Sequence, residues 1–195
     1  MAAVRVLRAA ERAAAPWKNG GGVTREVAAF PEGSDLGGFQ WRVSLADVAQ
    51  GGPFSAFPGV DRVITVVRGA GMVLTVDGVE HRVDARYRPF AFPGDADTGC
   101  RLLQGPLVDF NVMTRRGGTD AVVAVVEREP VALTGPTVLA VVLEGEAELG
   151  PDGTLLGPLD AVLLEDGGAD GPAAGPARLL DVRGVAAVVT FRPAG

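Results

Sequence analysis

Short apolar segments alternate with turn residues along most of the chain. Within many segments apolar and polar residues alternate with a period of two, which is typical of a β-strand with two different faces. Residues 9–15 are rich in alanine but stop at Pro16, which leaves at most a turn or two of helix. The pattern therefore predicts an all-β fold. The predicted strands are 4–7, 23–28, 39–48, 62–68, 72–76, 79–83, 88–92, 101–103 and 107–113.

The pattern of the first 118 residues returns in the rest of the chain. Residues 66–71 are echoed by residues 141–146, and residues 107–115 by residues 185–192. In both halves a strand is followed by a glycine turn, a hairpin with an Asp-Gly pair and further strands, an order typical of a double-stranded β-helix, or jelly roll. We predict two related halves, residues 1–118 and 119–195, with a loop rich in Gly, Ala and Pro over 167–175.

The polar strand face of the first half is missing from the second half. Residues 186–189 are all apolar, whereas the corresponding stretch of the first half carries Asp109 and Asn111. We therefore expect any ligand chemistry in residues 1–118 and a structural role for residues 119–195.

Charge and composition narrow the possible partners. The net charge is −6 and no basic cluster exceeds Arg115-Arg116, so nucleic acid and an anionic membrane are poor candidates. No secretory signal and no apolar stretch of spanning length are apparent, and a single cysteine cannot form an intrachain disulfide. We expect a cytoplasmic protein, and edge strands make a homodimer plausible.

A glycine-rich loop precedes the second predicted strand. Gly20, Gly21 and Gly22 allow close approach of another group to the backbone, and Lys18, the sole lysine, lies just before them. The loop is either a solvated connection or a ligand site, and these residues alone favour neither.

The residue types argue against a bound catalytic metal. Metal sites inside β-barrels commonly use two or three histidines and a glutamate, whereas His81 is the single histidine and lies on a mainly apolar strand face. Four carboxylates are candidates for a Mg²⁺ or Ca²⁺ site, but their spacing along the sequence matches no compact ligand loop. We expect neither a metal nor another cofactor. The carboxylates considered are Glu26, Asp61, Asp95 and Asp109.

Nucleophilic catalysis has little support either. No serine lies in a Gly-x-Ser-x-Gly turn, and nothing in the sequence orients His81 toward Cys100, for which a buried free thiol is expected. The glycine clusters also lack the order of a phosphate-binding loop.

Ordered motifs over residues 16–113 resemble the HutD/Ves family of small bicupin proteins. The motifs are Pro-Trp-Lys-Asn-Gly-Gly-Gly-Val-Thr-Arg-Glu at 16–26, Trp-Arg-Val-Ser-Leu-Ala at 41–46, Gly-Pro-Phe-Ser at 52–55, Phe-Pro-Gly-Val-Asp-Arg at 57–62, Phe-Pro-Gly-Asp at 92–95 and Gly-Pro-Leu-Val-Asp-Phe-Asn-Val-Met at 105–113. The resemblance implies a cupin fold in two halves, with a polar pocket in the first half. It also implies a binder of a histidine-breakdown metabolite, such as formylglutamate or urocanate, that restrains flux through the pathway.

These motifs contain a set of groups suited to a small anionic metabolite. Arg42 offers a planar fork for a carboxylate, and Glu26 and Asp109 are able to hold that arginine or accept a ligand N–H. The same three residues could instead form a purely structural ion network. The full candidate set for ligand binding is Trp17, Lys18, Asn19, Gly21, Thr24, Glu26, Arg42, Ser44, Arg62, Asp109 and Asn111.

Two functional hypotheses follow. The first is a small-carboxylate binder without catalytic activity that senses or regulates histidine catabolism. The second is a metal-free isomerase or hydrolase of such a metabolite, with Glu26 or Asp109 as the general base. A structural protein without a ligand is a third option, against which the polar strand faces of the first half argue.

Overall fold

A computed structural model describes residues 3–165 and 178–195. The predicted loop at 167–175 lies outside the described residues. The described residues form β-strands and one short 3₁₀ helix, Ala9–Glu11. They contain no helix that is long and apolar enough to cross a membrane. The strands are β1 (Ala3–Leu7), β2 (Ala14–Pro16), β3 (Gly22–Phe30), β4 (Trp41–Val48), β5 (Gly52–Pro53), β6 (Val60–Arg68), β7 (Met72–Val76), β8 (Val79–Val83), β9 (Phe90–Pro93), β10 (Thr98–Leu102), β11 (Leu107–Arg115), β12 (Thr119–Glu127), β13 (Pro130–Leu133), β14 (Thr137–Glu144), β15 (Ala147–Leu149), β16 (Thr154–Leu156), β17 (Ala161–Glu165), β18 (Arg178–Val182) and β19 (Val185–Pro193).

The all-β prediction is confirmed, and several strands have the predicted bounds. β7 and β8 match them and are joined by Asp77 and Gly78, both with positive φ, as a two-residue hairpin turn requires. The prediction missed β2, where the alanine-rich stretch turns extended. Its strand conformation comes from pairing with β3, in the register Ala14 to Arg25, which local propensity does not reveal.

The chain divides into two compact units. The N-terminal unit comprises Arg12–Thr119 with Ala194–Gly195, and the C-terminal unit comprises Met1–Glu11 with Asp120–Pro193. The N-terminal unit holds a six-stranded sheet of order β2-β3-β4-β11-β6-β9 and a four-stranded sheet of order β5-β10-β7-β8. The C-terminal unit holds a five-stranded sheet of order β1-β17-β14-β19-β12 and a four-stranded sheet of order β13-β18-β15-β16.

The first strand belongs to the C-terminal unit, whereas the sequence placed it in the half that ends at residue 118. β1 pairs antiparallel with β17 along its whole length. The carboxylate of Asp160 also accepts hydrogen bonds from Arg8 at 2.7 Å and from the Ala9 amide at 2.8 Å. These contacts are distant in sequence, so the linear order of the chain does not reveal them.

Both units use the same strand order. The order β4-β11-β6-β9 in the N-terminal unit corresponds to β12-β19-β14-β17 in the C-terminal unit. Likewise, the order β5-β10-β7-β8 corresponds to β13-β18-β15-β16. Even an irregularity is repeated, because the register of β11 against β6 shifts after Val108 and that of β19 against β14 shifts at the corresponding place, after Val185. The registers equate Arg68 with Glu144, so the sequence alignment of residues 66–71 with residues 141–146 is wrong by one position.

Each unit has its own buried core. In the N-terminal unit Ile64, Val66 and Leu107 of the six-stranded sheet pack with Leu74 and Cys100 of the four-stranded sheet. The two sheets therefore face each other across apolar side chains, as in a jelly roll. The corresponding core of the C-terminal unit contains Val138, Ala140, Val142, Leu149, Leu180, Ala186 and Val188.

Candidate functional site

Polar side chains collect on the inner face of the six-stranded sheet. Ser44 on β4 pairs with Asn111 on β11, and Asp109 lies two residues before Asn111. Arg42 on β4 and Arg62 on β6 both pair with the residue two positions after Asn111. Residues two apart on a strand share a face, and paired residues of neighbouring strands face the same way. The register thus brings all five side chains to one face, which we call the polar face.

Four of these side chains are nearly inaccessible. The exposed fractions are 2% for Ser44, 7% for Arg62, 3% for Asp109 and 7% for Asn111. Burial of charged or polar groups costs free energy unless partners compensate them, so the contacts of these four side chains decide how this face is stabilised.

Arg62 is enclosed by aromatic rings. The carbon centre of its guanidinium lies 5.1 Å from the ring centre of Phe54, 5.6 Å from that of Phe57 and 5.0 Å from that of Phe92. Its Nε and one terminal nitrogen reach the Asn111 Oδ1 at 3.4 and 3.5 Å, well beyond the usual distance of about 2.9 Å. Cation–π contacts therefore surround the guanidinium, whose hydrogen bonds within residues 3–165 and 178–195 are the two long ones to Asn111.

The charges of Arg62 and Asp109 influence each other across the polar face. Burial lowers the pKa of Arg62 to about 10, although Asp109 opposes this effect and Arg42 adds to it. Burial likewise raises the pKa of Asp109 to about 7; the positive charge of Arg62 opposes the rise and the negative charge of Asp47 adds to it. Near neutral pH this carboxyl group is able to exist in either protonation state.

Arg42 and Glu26 form a separate ion pair at the more exposed edge of the polar face. The Nε of Arg42 donates to the Oε2 of Glu26 at 2.7 Å, and their side chains are 14% and 40% exposed. β3 bulges after Glu26, which pairs with Ser44 and so lies beside the buried residues. This contact uses one edge of the guanidinium fork. Its terminal nitrogens donate no hydrogen bond to any residue in the described part of the chain.

The side chains of Trp17 and Thr24 are hydrogen-bonded to each other. The indole Nε1 of Trp17 donates to the Thr24 Oγ1 at 2.7 Å, and the ring packs half-buried against the core. Gly22 allows this arrangement, because a Cβ there would lie 2.6 Å from the Asp47 carbonyl oxygen and 3.1 Å from the Trp17 ring. The glycine run therefore has a packing reason that is independent of any ligand.

Lys18 and Asn19 lie in the exposed loop before β3. The side chain of Asn19 accepts a hydrogen bond from the Gly21 amide at 2.9 Å, which closes the turn. The loop joins β3 at Gly22, which pairs with Val48, six residues along β4 from Arg42 and thus about 20 Å away along the strand. The structure therefore brings Glu26, Arg42, Ser44, Arg62, Asp109 and Asn111 together, with Thr24 on the same face, and places Lys18 and Asn19 toward its other end.

His81 and Cys100 do not form a catalytic pair. Both are paired with Leu74, from opposite sides, so a strand separates them. His81 lies on the edge strand β8 and packs against Phe90 with ring centres 5.0 Å apart. Cys100 is the buried free thiol that the sequence predicted, and burial, together with the charge of Asp109, raises its pKa to about 11.

The four candidate carboxylates do not converge. Asp61 and Asp95 are exposed and both bind Arg116, whereas Glu26 pairs with Arg42 and Asp109 is buried. Within residues 3–165 and 178–195 no three His, Cys, Asp or Glu side chains are placed to hold a metal ion together.

An open surface cavity of about 520 Å³ lies beside this exposed network. Its lining contains the three carboxylates of Asp61, Asp77 and Asp95 but the single cation of Arg116. That charge balance makes it a poor receptor for an anion, in contrast to the polar face.

The sequence did not predict the aromatic enclosure of Arg62. It did show Phe54 and Phe57 among turn residues, which is unusual for an exposed loop. Phe92 joins them because it pairs with Arg62 across β6 and β9, a register that no local pattern encodes.

Comparisons with known proteins show that this chain is similar to HutD and Ves proteins. The HutD family model matches residues 9–180. Protein Ves from Citrobacter koseri is 37% identical over 155 residues, which is 78% of this chain and 75% of that protein. An uncharacterised 21.2 kDa protein encoded in the hutC 3′ region of Pseudomonas putida is 44% identical over 113 residues, 58% of this chain and 59% of that protein. The structure of HutD from Pseudomonas fluorescens SBW25, in a formate condition, superposes with a TM-score of 0.85 at 36% identity, over 99% of this chain and 100% of that chain.

More distant structures share the fold alone. A cupin 2 conserved barrel domain protein from Leptotrichia buccalis superposes with a TM-score of 0.56 at 9% identity, over 89% of both chains. The jelly-roll arrangement is therefore that of the cupins.

Proposed function

We propose that this chain, which belongs to the HutD family, binds a small carboxylate of histidine breakdown without the help of a metal and thereby senses or regulates that pathway. The family is associated with histidine utilisation. The proposed ligand resembles formylglutamate or urocanate, both of which combine a carboxylate with an amide or imidazole group.

One observation carries the proposal: equivalent positions are charged or polar in one unit and apolar in the other. The registers equate Arg62 with Val138, Asp109 with Ala186 and Asn111 with Val188, and those three apolar residues belong to a buried cluster. The same architecture is thus built with an ordinary core in the C-terminal unit. We therefore propose that these buried polar groups, which the fold does not need, bind the ligand.

The chemistry of the polar face suits an anion with a hydrogen-bonding tail. The guanidinium of Arg62 would bind the carboxylate, with the terminal nitrogens of Arg42 as a second donor group. Ser44 and Asn111 would add directional hydrogen bonds, and Asp109 would accept an N–H of the ligand. The rings around Arg62 would exclude water and strengthen these interactions.

Isothermal titration calorimetry tests the proposal directly. Formylglutamate, urocanate and histidine are titrated into the wild-type protein, Arg62→Met and Arg101→Met. We expect saturable 1:1 binding of a carboxylate and a loss of roughly tenfold to a hundredfold in affinity in Arg62→Met, since a hydrogen bond to a charged group contributes about 1.5–3 kcal/mol. Arg101→Met is the matched control, because this exposed arginine lies on β10 and is 3.8 Å from Glu80. The proposal fails if none of the three compounds binds.

A second function is favoured by the state of Asp109. A buried carboxyl group with a pKa of about 7 has the property of a general base that works near neutral pH. Glu26 fits this role less well, because it is half-exposed and bound to Arg42. A metal-free isomerase or hydrolase would convert formylglutamate or urocanate into a product visible by NMR, and Asp109→Asn would abolish the conversion. Unchanged spectra over long incubation with the wild-type protein would leave binding as the function.

A further inference from the structure

We infer that an anion binding to Arg62 brings a proton with it, which Asp109 takes up from solvent. The inference rests on the proposed function, because it concerns how the same polar face responds to its ligand.

Asp109 is buried, and no cation of the described residues is bound directly to its carboxylate. This residue is 3% exposed, and its charge is coupled to that of Arg62, itself 7% exposed, without a direct ion pair between them. Asn111 lies between them in the strand register and weakly binds Arg62. A guanidinium held by three aromatic rings is thus the main compensation for this carboxylate.

The other titratable groups around Asp109 do not stabilise its negative charge. Asp47 on β4 disfavours it, and Cys100 on β10 is a protonated thiol at physiological pH, with a pKa of about 11. Arg42 on β4 donates through its Nε to Glu26 on β3, so the charge of Glu26 offsets that cation even when the terminal nitrogens of Arg42 bind the ligand. On β6, Arg62 is the cation coupled to Asp109.

A bound carboxylate would change this balance. It would neutralise Arg62 and add a second negative charge to a space of low dielectric constant, where two carboxylates and one guanidinium are poorly compensated. The balance is restored when one proton from the buffer adds to a carboxylate oxygen of Asp109. The O–H of the neutral acid would then donate a hydrogen bond to the bound carboxylate, while its carbonyl oxygen would still accept an N–H of the ligand.

Calorimetry in several buffers measures this proton. Formylglutamate is titrated at pH 8 in HEPES and in Tris, and at pH 5 in acetate and in piperazine; within each pair the ionisation enthalpies of the buffers differ, and the observed binding enthalpy is plotted against them. We expect a slope close to one proton taken up at pH 8 and close to zero at pH 5, where Asp109 is already protonated. The affinity should fall up to about tenfold for each pH unit above pH 8.

Variants assign the proton to its residue. Asp109→Asn should bind with a slope of zero, whereas Glu26→Gln, whatever its affinity, should keep a slope close to one. A zero slope in the wild-type protein at pH 8, or a slope of one in Asp109→Asn, overturns the inference and leaves the proposed function intact. Failure of formylglutamate, urocanate and histidine to bind at all overturns both. If Asp109→Asn does not bind, infrared difference spectra of the wild-type protein decide: a new carboxylic-acid C=O band on ligand addition supports the inference, and its absence overturns it.

Discussion

Asn111 and Val188 occupy equivalent positions in the two units of the chain. Asn111 on β11 pairs with Ile64 on β6, and Val188 on β19 pairs with Ala140 on β14, in sheets of the same strand order. Both side chains are 7% exposed. A unit with this strand order therefore folds with an apolar residue at this position, so its fold alone does not require an amide there.

The first prediction concerns the replacement of Asn111 by valine, the residue at the equivalent position of the C-terminal unit. Asn111→Val should leave the free energy of unfolding within about 1 kcal/mol of the wild-type value, because removal of a weakly bonded buried amide offsets the loss of its contacts. Its affinity for the carboxylate should fall about tenfold. Urea denaturation and calorimetry measure the two quantities.

The matched control is Val188→Asn. This change buries an amide in an apolar core, so it should lower the free energy of unfolding by about 1–3 kcal/mol without changing affinity. Equal destabilisation by both variants would mean that Asn111 is a structural residue.

The second prediction concerns the pH dependence of stability. The pKa of Asp109 is about 7 in the folded state and near 3.8 in the unfolded chain. The folded state therefore holds a proton that the unfolded state has released between about pH 4 and pH 7, so wild-type stability falls as the pH rises through this window. Asp109→Asn lacks the titration and should gain stability relative to the wild type across it, by at most roughly 4 kcal/mol, with no further gain above pH 8.

Urea denaturation at several pH values between 4 and 8 follows this difference. Asp95→Asn is the control, because the pKa of this exposed carboxyl is lowered by its hydrogen bonds, first of all from Arg116. Its stability relative to the wild type should show no rise between pH 4 and pH 7. Parallel curves for Asp109→Asn and the wild type would contradict a raised pKa at Asp109.

The third prediction concerns the glycine loop. Gly22→Ala places a methyl group against the Asp47 carbonyl oxygen and the Trp17 ring, so it should cost about 1–3 kcal/mol of stability and shift the tryptophan fluorescence. Gly99→Ala is the control, since nothing lies within 4 Å of its added Cβ, and its effect should stay within about 0.5 kcal/mol. Equal stability of both variants would show that the loop adjusts to the added methyl group.

The fourth prediction concerns the single thiol. A pKa of about 11 leaves Cys100 with about a hundredfold less thiolate at pH 8 than the ordinary value of 9.0 would, and burial restricts access further. Reaction with an aromatic disulfide reagent at pH 8 should therefore be at least about a hundredfold slower in the native protein than in urea. Comparable rates under the two conditions would contradict the buried, protonated thiol.

Local patterns predicted much of the fold. Period-two alternation and the Asp77-Gly78 turn located β7 and β8, because both depend on neighbours in sequence. The internal repeat predicted that the two halves are related, although it was misaligned by one position where the register fixes Arg68 opposite Val108. Such registers depend on pairing between distant strands, which the sequence shows only indirectly.

The candidate site was predicted in part. Alternation predicts which residues of one strand share a face, but Arg42 and Asn111 share a face because β4 and β11 pair in a particular register. Lys18 is in the same motif region yet lies toward the other end of the strand, because a loop does not follow the strand period. The position of Arg62 among three rings depends on two strands and a loop that are separated by up to 38 residues.

The sequence by itself determined the strand content, the repeat and the family, because these depend on alternation and on motifs along the chain. Only the tertiary structure decided which strands are neighbours, that β1 joins the C-terminal unit, and that Arg62 and Asp109 are buried on one face. The physical reason is that strand register and desolvation arise from contacts between residues far apart in sequence, and these contacts set the charge state of a buried group.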